Sequence, residues 1–437
     1  MSQTDLALWL LNQETRALFT RLNMVKPFVL YETMVQAASP SVAAQAAIER
    51  YLITGRRELR QMVSEYLTWL QSPAGRSAPI SEAQRRFAFL KMRFNTGLDQ
   101  FDIFADVMTQ RSENEIGVWL AGLDALAADA LALPGGYFDP PPVICYLDRG
   151  HGAAIRRART RLPGGGINPV AIIQVPRERM ISNGIASSLV HEVGHQGAAL
   201  LDLVNSLRQP LERLVRSHNG TLNVWFLFHR WLSETLSDFW SVARVGICST
   251  LGLMGVVSLP RAFVFRLGLD DPHPIPWIRV KLSCAMGNAL YPHPQWEKLA
   301  AIWESYYPLT GLSSAKRQIF TTIEAAIPDF VSLLVNHRPE SLRGKSLGNI
   351  LASPDRSPGY LRDLYRTWQA DPHRRYTVPP SLVFAVIGQA RADGALTPER
   401  ESRLLSEALT YWAMRNSLNA NELRVTQARL PGVALAT

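Results

Sequence analysis

Cysteine is scarce: Cys145, Cys248 and Cys284 are the only three in 437 residues, each alone in an apolar context without a Cys-x-x-Cys spacing. That excludes a disulfide framework and a cysteine-built zinc finger, and it fits buried thiols in a reducing compartment. Long apolar runs are also missing. The most apolar stretch, 245–259, is interrupted by glycine and serine. It falls short of the roughly twenty residues a membrane-spanning helix needs, so no transmembrane segment is expected and the stretch is read as buried core. The first residues carry no basic segment followed by an apolar run, so no secretory signal is expected and the chain reads as cytoplasmic. Acidic residues number 37 against 46 basic ones, a formal charge of +9. That surplus, mainly arginine, suits an acidic partner. Nucleic acid is not expected, because charge alone would speak for it. The sharpest cluster is Arg149, Arg156, Arg157, Arg159 and Arg161, followed by Gly164-Gly165-Gly166. No Lys-Ser/Thr follows, which excludes a phosphate-binding P-loop and points to a basic hairpin.

With 47% hydrophobic and 19% charged residues the composition is that of an ordinary globular protein. Leu6, Leu10, Leu11, Leu18 and Leu22 recur near the helical period, as do apolar positions in 57–70, so residues 1–132 are expected to form a helical N-terminal domain. A Pro/Gly-rich break at 72–79 divides it, and the run 134–142 marks its end. Beyond lie two short β-branched segments, 143–147 and 170–175, with strand character. The segment 183–188 can then cap a long helix. From 311 the helical pattern returns, ending in two runs hinged at 392–399. The expected fold is mainly α with a small β-sheet (α+β), in three units: 1–132, 133–310 and 311–437.

The second unit carries the chemistry. His191-Glu192-Val193-Gly194-His195 places two imidazoles four residues apart on one helical face, able to grip one tetrahedral cation, with Glu192 placed as a base. By chance such a pentapeptide arises in on the order of one chain in a hundred of this length. Its flanks, Ile185, Leu189, Val190, Ala198 and Leu201, are apolar, so the helix should be buried. Buried imidazoles beside a carboxylate are costly unless they share a proton or a metal. Three residues are candidates for the third ligand. Asp202 is close behind, Glu212 has Arg216 four residues on, and Glu234 has Asp238 four residues on, where a carboxylate can fix a histidine tautomer. A metzincin would need Gly and His where this chain has Ala198 and Leu201, so that class is excluded.

Ser233-Glu234-Thr-Leu-Ser237-Asp238 resembles the second motif of the gluzincin metallopeptidases, and the broader Glu-x-x-x-Asp form is similar to the prenyl-protein-processing and heat-shock membrane proteases. The resemblance covers about 140–300, although the spanning helices of those membrane families are missing. It implies a zincin-like core between helical flanks, with His191, His195 and Glu234 as zinc ligands, Glu192 as general base, and Asp238 behind a ligand histidine. Asp271-Pro-His273-Pro274 with Arg279 is similar to an element beside the active site in the same families, which makes His273 or Arg279 the candidate to stabilise the oxyanion. Tyr291 and His293 are further candidates; His218 and His229 are read as structural. The turn 393–399 resembles the helical bundles of the TerB type, while a calcium-loop reading fails because Gln389, Arg391 and Arg400 stand where oxygen ligands belong.

The expected function is therefore zinc-dependent cleavage of a protein or peptide substrate, with strand 170–175 as the platform on which an extended substrate adds. The alternative is a catalytically silent zincin-fold scaffold that makes its contacts through the helical flanks.

Overall fold

A computed structural model describes residues 2–24, 34–149, 152–163, 165–177, 183–217, 222–268 and 270–429. Helices α1 (Gln3–Met24), α2 (Val42–Gln71) and α3 (Ile80–Thr109) form an N-terminal bundle. In α2 the residues Ile48, Leu52, Leu59, Val63, Tyr66 and Leu70 fall on one stripe and are buried, and Ser41 caps its start by accepting the Ala44 N–H. They meet Leu11, Leu18 and Leu22 of α1 and Phe87, Phe94, Phe101 and Phe104 of α3. Burying each such side chain is worth about 1.5–3 kcal/mol. The break expected at 72–79 is present: α2 stops at Gln71, and Ser72 caps a single turn, 73–77.

Helix α4 (Asn114–Leu131) leads into a three-stranded sheet of β1 (Val143–Asp148), β2 (Ala154–Arg156) and β3 (Ala171–Pro176), in the order β1-β3-β2. β1 and β3 are parallel, from Val143↔Ala171 to Asp148↔Pro176; β2 runs antiparallel, from Ala154↔Gln174 to Arg156↔Ile172. Alternation then sends Val143, Cys145, Leu147, Ala171, Ile173 and Val175 to one face and Ile144 and Ile172 to the other, closing the N-terminal bundle. The basic hairpin follows β2, with Arg161 bridging Ile167; Gly164 lies outside the described residues. Strand 170–175 is central and paired on both sides, so it cannot be the platform expected from sequence. A three-residue strand ending in Arg156, β2, takes that edge.

The outer edge of β1 is closed by side chains. Asp124 Oδ1 accepts the Cys145 N–H at 2.7 Å, Arg111 donates to the Cys145 carbonyl at 2.6 Å, and Gln110 takes both the N–H and the carbonyl of Leu147. These groups stand in for a neighbouring strand.

The rest is helical: α5 (Asn183–Leu200), α6 (Leu203–Ser217), α7 (Val224–Arg230), α8 (Leu232–Val245), α9 (Ile247–Val257), α10 (Pro276–Leu290), α11 (Gln295–Tyr306), α12 (Ser314–Ala325), α13 (Ile327–Asn336), α14 (Pro358–Ala370), α15 (Pro380–Ala392) and α16 (Pro398–Arg429), apart from short turns. The side chain of Asn183, expected to cap α5, lies outside the described set. The cores do not follow the three expected spans. Leu120, Leu123, Leu126 and Leu131 of α4 share a core with α5, α8, α9 and the C-terminal helices, and α15 is buried along nearly its whole length. As expected, most of 245–257 is interior, whereas Ser258 and Leu259 at its end are exposed, and the three cysteines are buried thiols outside any disulfide. One described stretch, Ser314–Asn336, is long and apolar enough to cross a membrane, and it is broken between α12 and α13.

Candidate metal centre

The site forms where α5, α8 and α10 meet. Helix α5 buries Leu189, Val190, Val193 and Ala198, which carries His191 and Glu192 inward to 9% and 8% exposure, so each needs a partner. Gly194 lets α8 approach: a Cβ there would stand 2.8 Å from Ser237 Cα and 2.9 Å from its carbonyl oxygen. At Gly197 a Cβ would meet the Trp240 ring at 2.5 Å. This near contact of backbones brings the Glu234 and Asp238 side chains to the histidines.

His191 Nε2 lies 3.2 Å from Glu234 Oε2 and His195 Nε2 lies 3.4 Å from Glu234 Oε1. The three donors fall within 4.8 Å of one another. Ligands held 2.0–2.1 Å from a tetrahedral cation are separated by about 3.3 Å, so the donor set fits such an ion. The other ring nitrogens are held elsewhere. His191 Nδ1 pairs with Asp238 Oδ1 at 2.7 Å and His195 Nδ1 lies 3.3 Å from Ser233 Oγ, which leaves both Nε2 atoms facing Glu234.

Arg279 of α10 donates from Nε to Asp238 Oδ2 at 2.7 Å and from Nη2 to Oδ1 at 2.9 Å, a buried bidentate pair. The pair fixes that carboxylate, and the same Nη2 lies 3.6 Å from Glu234 Oε2, which places the guanidinium at the edge of the donor cluster. His273 also reaches the group. Its Nε2 is 3.3 Å from Glu234 Oε2, and Asp271 Oδ1 lies 2.9 Å from its Nδ1 and accepts its N–H at 3.0 Å. Side-chain exposure rises from 11% at His191 and 17% at His195 to 52% at His273, so solvent reaches the donors from the His273 side.

Electrostatics bind the group together. Burial opposes protonation of His191, yet the adjacent Asp238 carboxylate outweighs it and lifts the ring to about 9. Burial would raise Glu234, but its hydrogen bonds to His191 and His195 hold it far below the usual carboxylate range. Asp238, also pushed up by burial, is brought down to about 2 by Arg279 and His191. Glu192 is raised by burial despite the two imidazoles, and no described residue hydrogen-bonds its carboxylate. With both imidazoles neutral, one guanidinium stands among three carboxylates, a balance that a divalent cation would complete in place of the His191 proton.

The other candidates stay away from the donors. Asp202 is exposed and accepts from Asn205, and Glu212 pairs with Arg216 at 3.3 Å, as its spacing suggested. The Tyr291 hydroxyl donates to the Ala243 carbonyl and accepts from Ser353, a buried strut, and His293 sits beside Arg362 and Gln295. His229 lies 3.9 Å from Glu212, and His218 is outside the described residues. Sequence reasoning missed Ser233 behind His195 and the anchoring of His273 by Asp271. The second had a signal, since an aspartate two residues before a residue commonly accepts its N–H. The chain matches no family model, no curated protein and no solved structure.

Proposed function

We propose that this chain is a zinc-dependent metallopeptidase of gluzincin type, with a zincin-like core in which His191, His195 and Glu234 hold the ion. The observation that carries this is the convergence of two Nε2 atoms on the two oxygens of one buried glutamate at 3.2 and 3.4 Å. The broad fold, mainly helical around a small sheet, is compatible with it. A zinc ion held there supplies an acidified water and polarises the carbonyl of the scissile bond.

The chain's own residues do the rest. Glu192, raised by burial and not tied down by a described hydrogen bond, takes the proton from the attacking water and delivers it to the leaving amine nitrogen. Asp238 accepts the Nδ1 proton of His191 and so keeps Nε2 as the ligating atom, while Arg279 keeps Asp238 in place. His273, oriented by Asp271 on the open side, donates from Nε2 to the oxygen that gains charge. An extended substrate adds to the outer edge of β2, because β3 is paired on both sides and the edge of β1 is filled by Gln110, Arg111 and Asp124. Just beyond β2 the Ala158 N–H donates to Gln196 Oε1 at 2.8 Å, which ties this edge to the turn that carries His195.

The test is digestion of an unfolded protein before and after chelation. Cleavage should vanish with the chelator and return with one equivalent of zinc. Stoichiometric zinc with no cleavage of any unfolded protein would instead leave a metal-braced scaffold.

A further inference from the structure

β2 pairs on one side only, and its side chains divide between two environments. Ile155 packs into the core shared with α5, whereas Ala154 and Arg156 face α3. Between α3 and the sheet lies a cleft of ≈ 570 Å³, lined by Arg156, Arg157, Arg161, Tyr146, Gln174 and Asp106 among others. Three guanidinium groups meet one carboxylate there. None of the three arginines makes an ion pair or side-chain hydrogen bond with a described residue, although their neighbours do: Arg159 lies 3.5 Å from Asp139 and Arg177 lies 3.6 Å from Glu113. Asp106 in the lining and Asp148 beside Tyr146 are the nearby carboxylates, and neither forms an ion pair with these arginines, so the three guanidinium groups stand without a salt-bridge partner among the described residues, beside the strand edge that no described strand covers.

We propose that this cleft is a specificity site, and that the preferred substrates are extended polypeptides with aspartate or glutamate at alternate positions. The proposal rests on the peptidase reading above and names its substrate class. A chain added to the outer edge of β2 turns every second side chain toward the α3 face, about 6.7 Å apart, over the arginines. Carboxylates match guanidinium groups bidentately, and neutral or basic side chains at those positions leave them unpaired. Single-stranded nucleic acid would offer phosphates to the same groups, but it has no backbone amides for the strand edge. The cleft also offers only a half-buried Tyr146 for base stacking.

Binding can be read apart from turnover. Zinc-loaded full-length Glu192→Gln protein is titrated with four labelled probes: a ten-residue peptide with glutamate at every second position, its glutamine and lysine counterparts, and a ten-nucleotide oligothymidylate. The glutamate peptide should bind at least tenfold more tightly than the glutamine peptide. The difference should disappear in the Arg156→Gln/Arg157→Gln/Arg161→Gln variant, and Arg156→Glu with Arg157→Glu should turn the preference toward a lysine peptide. These side chains are exposed, and an unchanged melting curve confirms folding. Equal binding of the two peptides, or tighter arginine-dependent binding of the oligonucleotide, overturns the proposal. Digests separate the two claims. Wild-type cleavage without acidic preference sinks the specificity site and leaves the peptidase standing. Arginine-dependent binding of the acidic peptide with no cleavage sinks the peptidase and leaves the acidic-peptide site standing.

Discussion

Removing one Asp238 oxygen takes away the acceptor of the His191 Nδ1 proton or half of the bidentate clamp of Arg279. Asp238→Asn should therefore weaken zinc binding by about 10- to 100-fold, measured by competition with a chromogenic chelator. His191 makes the metal-free protein sensitive to pH. Its folded-state value, about 9 against an ordinary 6.5, means that its stabilising contribution is complete below pH 6.5 and is lost as pH rises through about 9. Melting temperatures of metal-free protein should fall across that window. Zinc needs the neutral ring, so uptake near pH 7 should release a proton, read by calorimetry in buffers of different ionisation enthalpy. The three side chains that converge, His191, His195 and Glu234, were legible because their spacing on two helices is a local property. The part played by Arg279 was not, since its Asp238 partner lies 41 positions away and only the fold brings them together.

Between elements, the near contact of α5 and α8 decides whether the donors meet. Gly194→Ala places a methyl group 2.8 Å from Ser237 Cα, against backbone that cannot swing aside. The variant should lose about 1–3 kcal/mol in urea unfolding. It should also bind zinc more weakly, because relief of the clash moves Glu234 and Asp238 together. A glycine inside the pentapeptide was visible in the sequence, but the partner it admits was not. Sheet order was hidden for a similar reason. Residues 143–147 and 170–175 declare themselves by β-branched content, whereas Ala154-Ile155-Arg156 has little and becomes a strand only by pairing with Gln174, Ile173 and Ile172. On the far edge, burial pushes the Asp124 carboxyl up while Arg111 beside it opposes the shift, and together they occupy the amide and carbonyl of Cys145.

At the scale of the molecule, helical periodicity announces that each C-terminal segment has a buried face but not which core receives it. The hinge at 392–399 was readable, and Gly394 turns there with φ +71° between α15 and α16. That Leu382, Val383, Phe384, Val386 and Ile387 pack into the core of the helices that carry His191 and Glu234 was not. Truncation after Val378 should consequently abolish cooperative folding and zinc binding together, seen as loss of near-ultraviolet circular dichroism; a truncated chain that still binds zinc would show the C-terminal helices to be dispensable. Chemistry is tested most directly by Glu192→Gln, with zinc content and cleavage of an unfolded protein measured on the same preparations. The expected result is one zinc per chain in both proteins and a loss of cleavage of about 10²- to 10⁴-fold in the variant. Undiminished cleavage by the variant would contradict the assignment of Glu192 and of the peptidase mechanism built on it.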